Sequence, residues 1–310
     1  MLNPTVNILI LNFNGKDLLE KFLPSFETAV RRSRFSCVLS VLDNNSADGS
    51  AEFIGRHFPG VVVHRIKKNK VLCSYNEVAQ KLEEDILILM NNDCMVHEDF
   101  IGPLVEPFRK EADLFLTQPA FYNADGSMVE CANAVGGIRW GLFWAKTARC
   151  SPGVTKPTIT LSAGMGAVDR KKFLMLGGYD PLYLPGTLED VDLCFRAWRR
   201  GWRSVYISES KINHMGQVSF KKEFGVSGLR VINFRNIYLF MWKNIRDPFY
   251  LLEHVIFLLP RILCAFLKGR PELGIGLIKA LGLLPRAVRS HEASRPIFKE
   301  RQIFEWFREK

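Results

Sequence analysis

Four short apolar runs open the chain, at Val6 to Leu11, Cys37 to Leu42, Val61 to Ile66 and Ile86 to Met90. Amphipathic stretches separate them at Lys16 to Arg32, Ser50 to His57 and Ser74 to Glu83. That alternation predicts an α/β domain, a mostly parallel sheet covered by crossover helices. The first and fourth runs are almost wholly apolar, as befits central strands buried on both faces. From Thr117 to Leu161 the chain is rich in Gly, Trp and Phe without a clear period, which predicts irregular structure lining a site. A helix is expected at Arg170 to Leu176, then a turn at Gly177-Gly178-Tyr179-Asp180-Pro181. A second helix follows from about Glu189 to Arg200, ended by Gly201. Val191, Cys194 and Trp198 recur on it at helical spacing, so it should pack on the sheet and leave its amino end free.

The pattern changes after about Arg246. Phe249 to Leu267 is strongly apolar but holds Glu253, His254, Pro260 and Arg261, and a second apolar run covers Leu273 to Leu284. Neither is an uninterrupted span of the ~20 apolar residues a bilayer requires. Two interfacial helices flanked by Lys268, Arg270, Lys279, Arg286 and Arg289 fit better, and residues 246–310 read as an amphipathic, basic helical tail that associates with membrane. Ile297, Phe298, Phe304, Trp306 and Phe307 among Lys299, Arg301, Arg308 and Lys310 continue that look. The bland alternative is helices packed on the main domain or against a second subunit as a homodimer contact.

The formal charge of +10 over 310 residues calls for an anionic partner. The basic residues gather with apolar ones late in the chain, which favours a lipid surface over nucleic acid. No basic leader or small-residue cleavage site precedes the first strand, so a cytoplasmic location is expected, peripheral on the inner face of the membrane. The seven cysteines show no paired or zinc-finger spacing and read as reduced thiols, mostly buried.

Ligands of an open parallel sheet bind beyond the carboxyl ends of its strands. Those ends are unusually polar here: Asn12-Phe13-Asn14-Gly15, Asp43-Asn44-Asn45-Ser46, Lys67-Lys68-Asn69-Lys70 and Asn91-Asn92-Asp93. Singly, each suits a turn or a helix cap. Together they offer cations for phosphate and carboxylates for a base, a ribose or a metal. Asp93 ends the most hydrophobic strand, where a divalent ion would stabilise it; the competing reading is a cap for a helix starting near His97. Glu189 and Asp190 sit at a helix amino end, where the macrodipole favours negative charge and a carboxylate can take a proton from a hydroxyl; Asp192 adds to that demand. His214, in Asn213-His214-Met215-Gly216, is either a satisfied structural histidine or a nitrogen ligand beside Asp93.

In order along the chain, these segments resemble glycosyltransferase family 2, the inverting family with a GT-A (Rossmann-like) fold, and its rhamnosyltransferase-like members in particular. The resemblance runs from about Thr5 to Asn244. It is carried by Ile10 to Gly15, Leu42 to Ser50, Asn91-Asn92-Asp93, Gly164-Met165-Gly166-Ala167, Gly177-Gly178-Tyr179-Asp180, Glu189 to Cys194 with Arg196, and His214-Met215-Gly216, with Arg235-Asn236 near its end. It implies a nucleotide-binding half at 1–95 and an acceptor and catalytic half at 96–245. It also implies a nucleotide-sugar pocket drawing on Asn12, Asn14, Asp43, Asn45, Asn76, Asn92, Asp93 and Glu189. A divalent metal, Mn2+ or Mg2+, would be held by Asp93 and His214, with Asp190 as the catalytic base.

The implied reaction moves a sugar from a UDP-, dTDP- or GDP-sugar to a glycan or lipid-linked hydroxyl, in cell-envelope polysaccharide or lipopolysaccharide assembly. Two departures stand out: the metal motif carries one carboxylate, and Asn69 to Asn76 replaces a Gly-rich segment. The alternative is a catalytically silent nucleotide-sugar-binding or scaffold protein of the same fold. A sugar-nucleotide-forming enzyme would need a Gly-rich, basic activating loop near the amino terminus, which the sequence lacks.

Overall fold

The computed structural model describes residues 3–122, 128–130, 134–147, 153, 155–215, 218–290 and 296–307. Four parallel strands form its first half: β1 (Val6–Asn12), β2 (Cys37–Asp43), β3 (Val62–Arg65) and β4 (Ile86–Asn91). Between them run α1 (Lys16–Arg32), α2 (Ser50–His57) and α3 (Ser74–Ala79). Helix α1 buries Leu19, Phe22, Leu23, Phe26 and Ala29, one stripe at i, i+3, i+4 spacing. Each large apolar side chain buried this way contributes about 1.5–3 kcal/mol, enough to fix the crossover against the sheet. Helix α3 begins at Ser74 as the sequence pattern predicts, after a 3-10 turn at Val71–Cys73, but ends at Ala79, short of Glu83.

The second half completes a mixed ten-stranded sheet. Its strands are β5 (Cys94–Val96), β6 (Leu114–Tyr122), β7 (Met128–Glu130), β10 (Thr155–Pro157), β11 (Gly166–Asp169) and β12 (Arg203–His214). The order along the sheet is β10-β12-β6-β11-β4-β1-β2-β3, with β5 on β12 and β7 on β6. Strand β11 runs antiparallel between β4 and β6 and so joins the parallel half to the rest. A separate hairpin pairs β8 (Ala134–Arg139) with β9 (Leu142–Thr147).

The expectation of irregular structure over Thr117 to Leu161 is therefore corrected for the described residues, which are largely strands. Gly136, Gly137 and Gly141 sit within or at the turn of the β8–β9 hairpin, and such residues hide a period-two pattern. Residues 123–127, 131–133, 148–152 and 154 lie outside the described set, and with them Cys131 and Cys150.

Helix α4 (Ile101–Lys110) covers the sheet near β6, and α5 (Arg170–Met175) follows β11. Helix α6 (Glu189–Arg199) and the long, kinked α7 (Val218–Asn244) come next. The tail holds α8 (Pro248–Leu267), α9 (Glu272–Leu281), α10 (Leu284–Arg289) and α11 (Glu300–Trp306). Phe195, Trp198, Tyr238, Phe240, Leu273, Ala280, Phe304 and Phe307 share one core, so α9 to α11 are built onto α6 and α7. Helix α8 is continuous through Pro260 and, by length and composition alone, suffices to cross a membrane, where the sequence pattern suggested only interfacial helices.

Candidate active site

Parallel register sets the site's floor. Asn12 pairs with Asp43, Leu11 with Asn91, and Asp43 with Arg65, so the polar ends of all four strands lie along one edge. Neutral hydrogen bonds tie these ends together. The Asn12 amide donates to Ser46 Oγ at 3.3 Å and accepts from Asn92 Nδ2 at 2.6 Å. The Asn14 N–H donates to the same Ser46 hydroxyl at 2.9 Å, and Asn14 Oδ1 accepts from the Ala47 N–H at 2.8 Å. Asn14 and Asn45 both adopt left-handed backbone conformations, which asparagine tolerates better than most residues. A Cβ at Gly15 would stand 2.0 Å from Asn92 Nδ2, so the loop approaches Asn92 only because position 15 lacks a side chain. Asp43 is buried and, among the described residues, its Oδ1 has no hydrogen-bond partner, which leaves an acceptor open to a ligand's donor.

Asp93 lies in the turn from β4 to β5, and His214 ends β12. Pairing of His214 with Cys94 across β5 and β12 brings them together, leaving His214 Nε2 3.3 Å from Asp93 Oδ1. His214 is the last residue of β12, which runs past a bulge between Ile207 and Lys211. Asp93 caps no helix, since β5 follows it directly. Cys94 completes a group of three potential metal ligands, but its sulfur is fully buried and rests 3.2 Å from Met165 Sδ. Asp93 and His214 keep partial exposure. Two donors about 3 Å apart match adjacent ligands of a six-coordinate ion with bonds of about 2.1 Å, so this oxygen and nitrogen pair fits a divalent cation.

The third part is the amino end of α6. Leu188, left-handed, precedes the helix and offers no side-chain cap, so first-turn N–H groups are left to the carboxylates beside them. Glu189 is buried, with Oε2 unpartnered, beside a small cleft lined by Leu72, Cys73, Asp180, Tyr183, Pro185 and Gly186. Asp190 keeps an edge open to solvent, accepts from the Val191 N–H at 2.8 Å and takes a hydrogen bond from Thr160. Burial pushes both carboxyls above the usual range, and the neighbouring Asp190 charge pushes Glu189 further. Glu189 thus holds a proton more tightly, and Asp190 is the one that ionises first.

Residues 8–145 match the family model described as Glycosyl transferase family 2. The chain carries a family 2 glycosyltransferase domain. It is 27% identical over 236 residues to the N-acetylglucosaminyl-diphospho-decaprenol L-rhamnosyltransferase of Mycobacterium tuberculosis, which covers 67% of this chain and 75% of the relative. It is 25% identical over 141 residues to polypeptide N-acetylgalactosaminyltransferase 11 of Xenopus tropicalis, covering 42% of this chain and 24% of that one. Two solved structures share the GT-A fold. GalNAc-T7 with UDP, GalNAc and Mn2+ superposes with a TM-score of 0.57 at 20% identity, over 70% of this chain and 44% of that chain. S. aureus TarS 1-349 gives 0.56 at 12% identity, over 92% and 81%. The domain uses a nucleotide-sugar donor and a glycan or lipid acceptor, as its family does.

Two residues of this glycosyltransferase sit differently from the sequence reading. Asn76 turns both ends of its amide to the backbone of Tyr179, donating at 2.8 Å and accepting at 2.9 Å. It clamps the Gly178-Tyr179 turn, and a Cβ at Gly178 would come within 2.1 Å of its Oδ1. Asp192 belongs to a closed ionic network: Arg196 Nε at 2.7 Å, Lys243 Nζ at 2.8 Å, the Asn244 amide at 2.8 Å and the Tyr183 hydroxyl at 2.9 Å. Lys243 and Arg196 hold its carboxyl far below the ordinary range against the cost of burial.

Further bonds hold the turn before α6. Asn236 Nδ2 donates to the carbonyls of Tyr183, Gly186 and Thr187 at 3.0, 2.6 and 2.8 Å, and Arg235 donates to those of Tyr183 and Leu184. Thr160, Lys243 and Asn244 escaped the sequence reading because nothing local marks them; only the fold brings them to α6. Cys94 did carry a signal, its place next to Asp93.

Proposed function

We propose that this glycosyltransferase transfers a sugar, with inversion, from a nucleoside diphosphate sugar to a hydroxyl of a lipid-linked glycan, on the cytoplasmic face of a membrane during envelope polysaccharide assembly. The observation that carries the reading is the approach of Asp93 and His214 to 3.3 Å, from segments more than a hundred residues apart, beside the polar strand ends. Residues 1–95 form the nucleotide half, with Asp43 receiving the base and Asn12, Asn14, Asn45 and Asn92 shaping the pocket. Asn76 contributes by fixing the turn at Tyr179. Residues 96–245 supply the acceptor side, and 246–310 the basic tail.

Asp93 and His214 would hold Mn2+ or Mg2+, which would supply Lewis-acid stabilisation of negative charge on the diphosphate. Asp190 accepts the acceptor hydroxyl's proton as that oxygen bonds to the anomeric carbon and the bond to the diphosphate breaks. Glu189, holding its proton, can donate to an oxygen in the same cleft. The mycobacterial relative's name points to rhamnose as the sugar and to a lipid diphosphate acceptor.

The test is binding and turnover of UDP-, dTDP- and GDP-sugars by the purified protein with Mn2+, Mg2+ or chelator. Metal-dependent selection of one donor is expected. Failure to bind any of them would return the chain to the silent-scaffold alternative.

A further inference from the structure

Helix α8 is amphipathic in the reverse sense. Its exposed positions recur at three- and four-residue intervals, and the large side chains there include Leu252, Val255, Ile256, Leu259, Leu263 and Phe266, each more than half exposed. No charged residue of α8 lies among its exposed positions. Its polar residues face inward. His254 is buried, with Nδ1 2.6 Å from the Gly141 carbonyl and Nε2 accepting from Trp242 Nε1 at 3.1 Å. Glu253 Oε1 accepts from the Gly141 N–H at 3.1 Å, and Arg261 donates to the Arg139 carbonyl at 3.2 Å. Trp140, at the turn of the β8–β9 hairpin, sets its ring 5.1 Å from Phe257.

A helix crossing a bilayer is surrounded by lipid or by other spanning helices, and polar backbone outside a helix or a closed barrel cannot be left facing hydrocarbon. Helix α8 is bonded along one side to a polar hairpin turn, so crossing would drag that turn and three ionisable side chains into hydrocarbon. The other side is a continuous apolar strip. Two exposed cations, Lys268 and Arg270, follow directly at its carboxyl end. A second copy of the chain docking here would bring these cations toward their own counterparts, whereas anionic lipid headgroups complement them.

We infer that α8 lies flat in the interfacial layer of an anionic bilayer, apolar strip downward, with Lys268 and Arg270 on headgroup phosphates, and does not span it. This inference rests on the membrane-associated reading above and specifies its geometry.

Flotation of the full chain with vesicles tests it, using phosphatidylglycerol mixed with phosphatidylcholine against phosphatidylcholine alone. Donor hydrolysis is measured on the same preparations. Co-flotation is expected with the anionic vesicles, weakened by salt and released by alkaline carbonate. Leu259→Glu combined with Leu263→Glu should lower vesicle binding at least about tenfold, because the apolar strip supplies the anchoring area. Lys268→Glu combined with Arg270→Glu should remove the preference for anionic lipid. Because these positions are exposed, melting temperature and donor hydrolysis should stay as in the parent.

Resistance to carbonate extraction would overturn the flat placement in favour of spanning. A stable dimer in solution that ignores vesicles would overturn it in favour of self-association. Flotation lost while donor hydrolysis persists would defeat this inference and spare the enzyme. Flotation as expected without donor hydrolysis would support the inference and defeat the catalytic reading.

Discussion

The two sides of the crevice are built from different materials. The strand-end side, from Asn12 through Ser46 to Asn92, is a web of neutral amides and a hydroxyl with one unpartnered carboxylate oxygen, on Asp43. The α6 side is ionic: Asp192 is locked by two buried cations, and two positions before it Asp190 has none among the described residues. Neutral groups can exchange partners with an arriving nucleotide at about 1 kcal/mol per bond, so that side can adapt. Buried charges cannot be redistributed cheaply, so the other side holds its geometry. If Asp190 is the base proposed above, its place on the stiff side would keep its carboxyl at a fixed position.

Removing the lock should have the largest effect. Asp192→Asn leaves Arg196 and Lys243 facing each other without their shared anion, and breaking a buried pair this way costs about 3–5 kcal/mol. Chemical denaturation should show that loss at neutral pH. The sign with pH follows from the lowered carboxyl: its stabilisation is complete above the unfolded value of about 3.9 and is lost as pH falls through the folded value. The parent should therefore lose stability below about pH 4 more steeply than the variant. Equal acid sensitivity would mean Asp192 is not the anchor.

Asp190→Asn keeps the shape and removes the base. Turnover should fall about 10²–10⁴-fold while donor affinity, measured calorimetrically, stays near that of the parent. Since burial pushes Asp190 up to about 6, parent turnover should climb as pH rises through that value, and the variant should lose that limb. Unchanged turnover would remove Asp190 from the mechanism.

Asp93→Ala acts on the boundary between the two sides. It should weaken nucleoside diphosphate binding in Mn2+ by about tenfold or more, since one charged ligand is gone, with little effect when chelator is present. Equal affinity with and without metal, in parent and variant alike, would separate Asp93 from any ion.

The same contrast explains what could be read from the sequence. Helices α1 and α2 begin and end where their apolar periodicity says, and β1, β2 and β4 extend the apolar runs by the single polar residue that meets the crevice. The strand-end side is local: each polar cluster follows its own strand, so position along the chain predicts position in space. The ionic network around Asp192 is assembled from residues up to 63 positions apart, as in Lys243 with Asp180, and no spacing rule links them. Asp192 therefore read as part of the site when it is a structural anchor, and Asn76 read as a ligand contact although both ends of its amide are spent on Tyr179. The hairpin at Ala134–Thr147 was hidden by glycines at positions that touch the tail: a Cβ on Gly141 would meet the His254 backbone at 2.7 Å.

The smallest predicted effect probes the adaptable side. Ser46 accepts from both the Asn12 amide and the Asn14 N–H, so Ser46→Ala removes two neutral bonds at a half-exposed position where water can replace them. Stability should fall by only about 1 kcal/mol, with donor KM rising a few-fold and kcat near that of the parent. Steady-state kinetics across donor concentrations separates the two constants. A drop in kcat as large as that of Asp190→Asn would mean the strand-end web is as rigid as the ionic side, and the division of labour between them would fail.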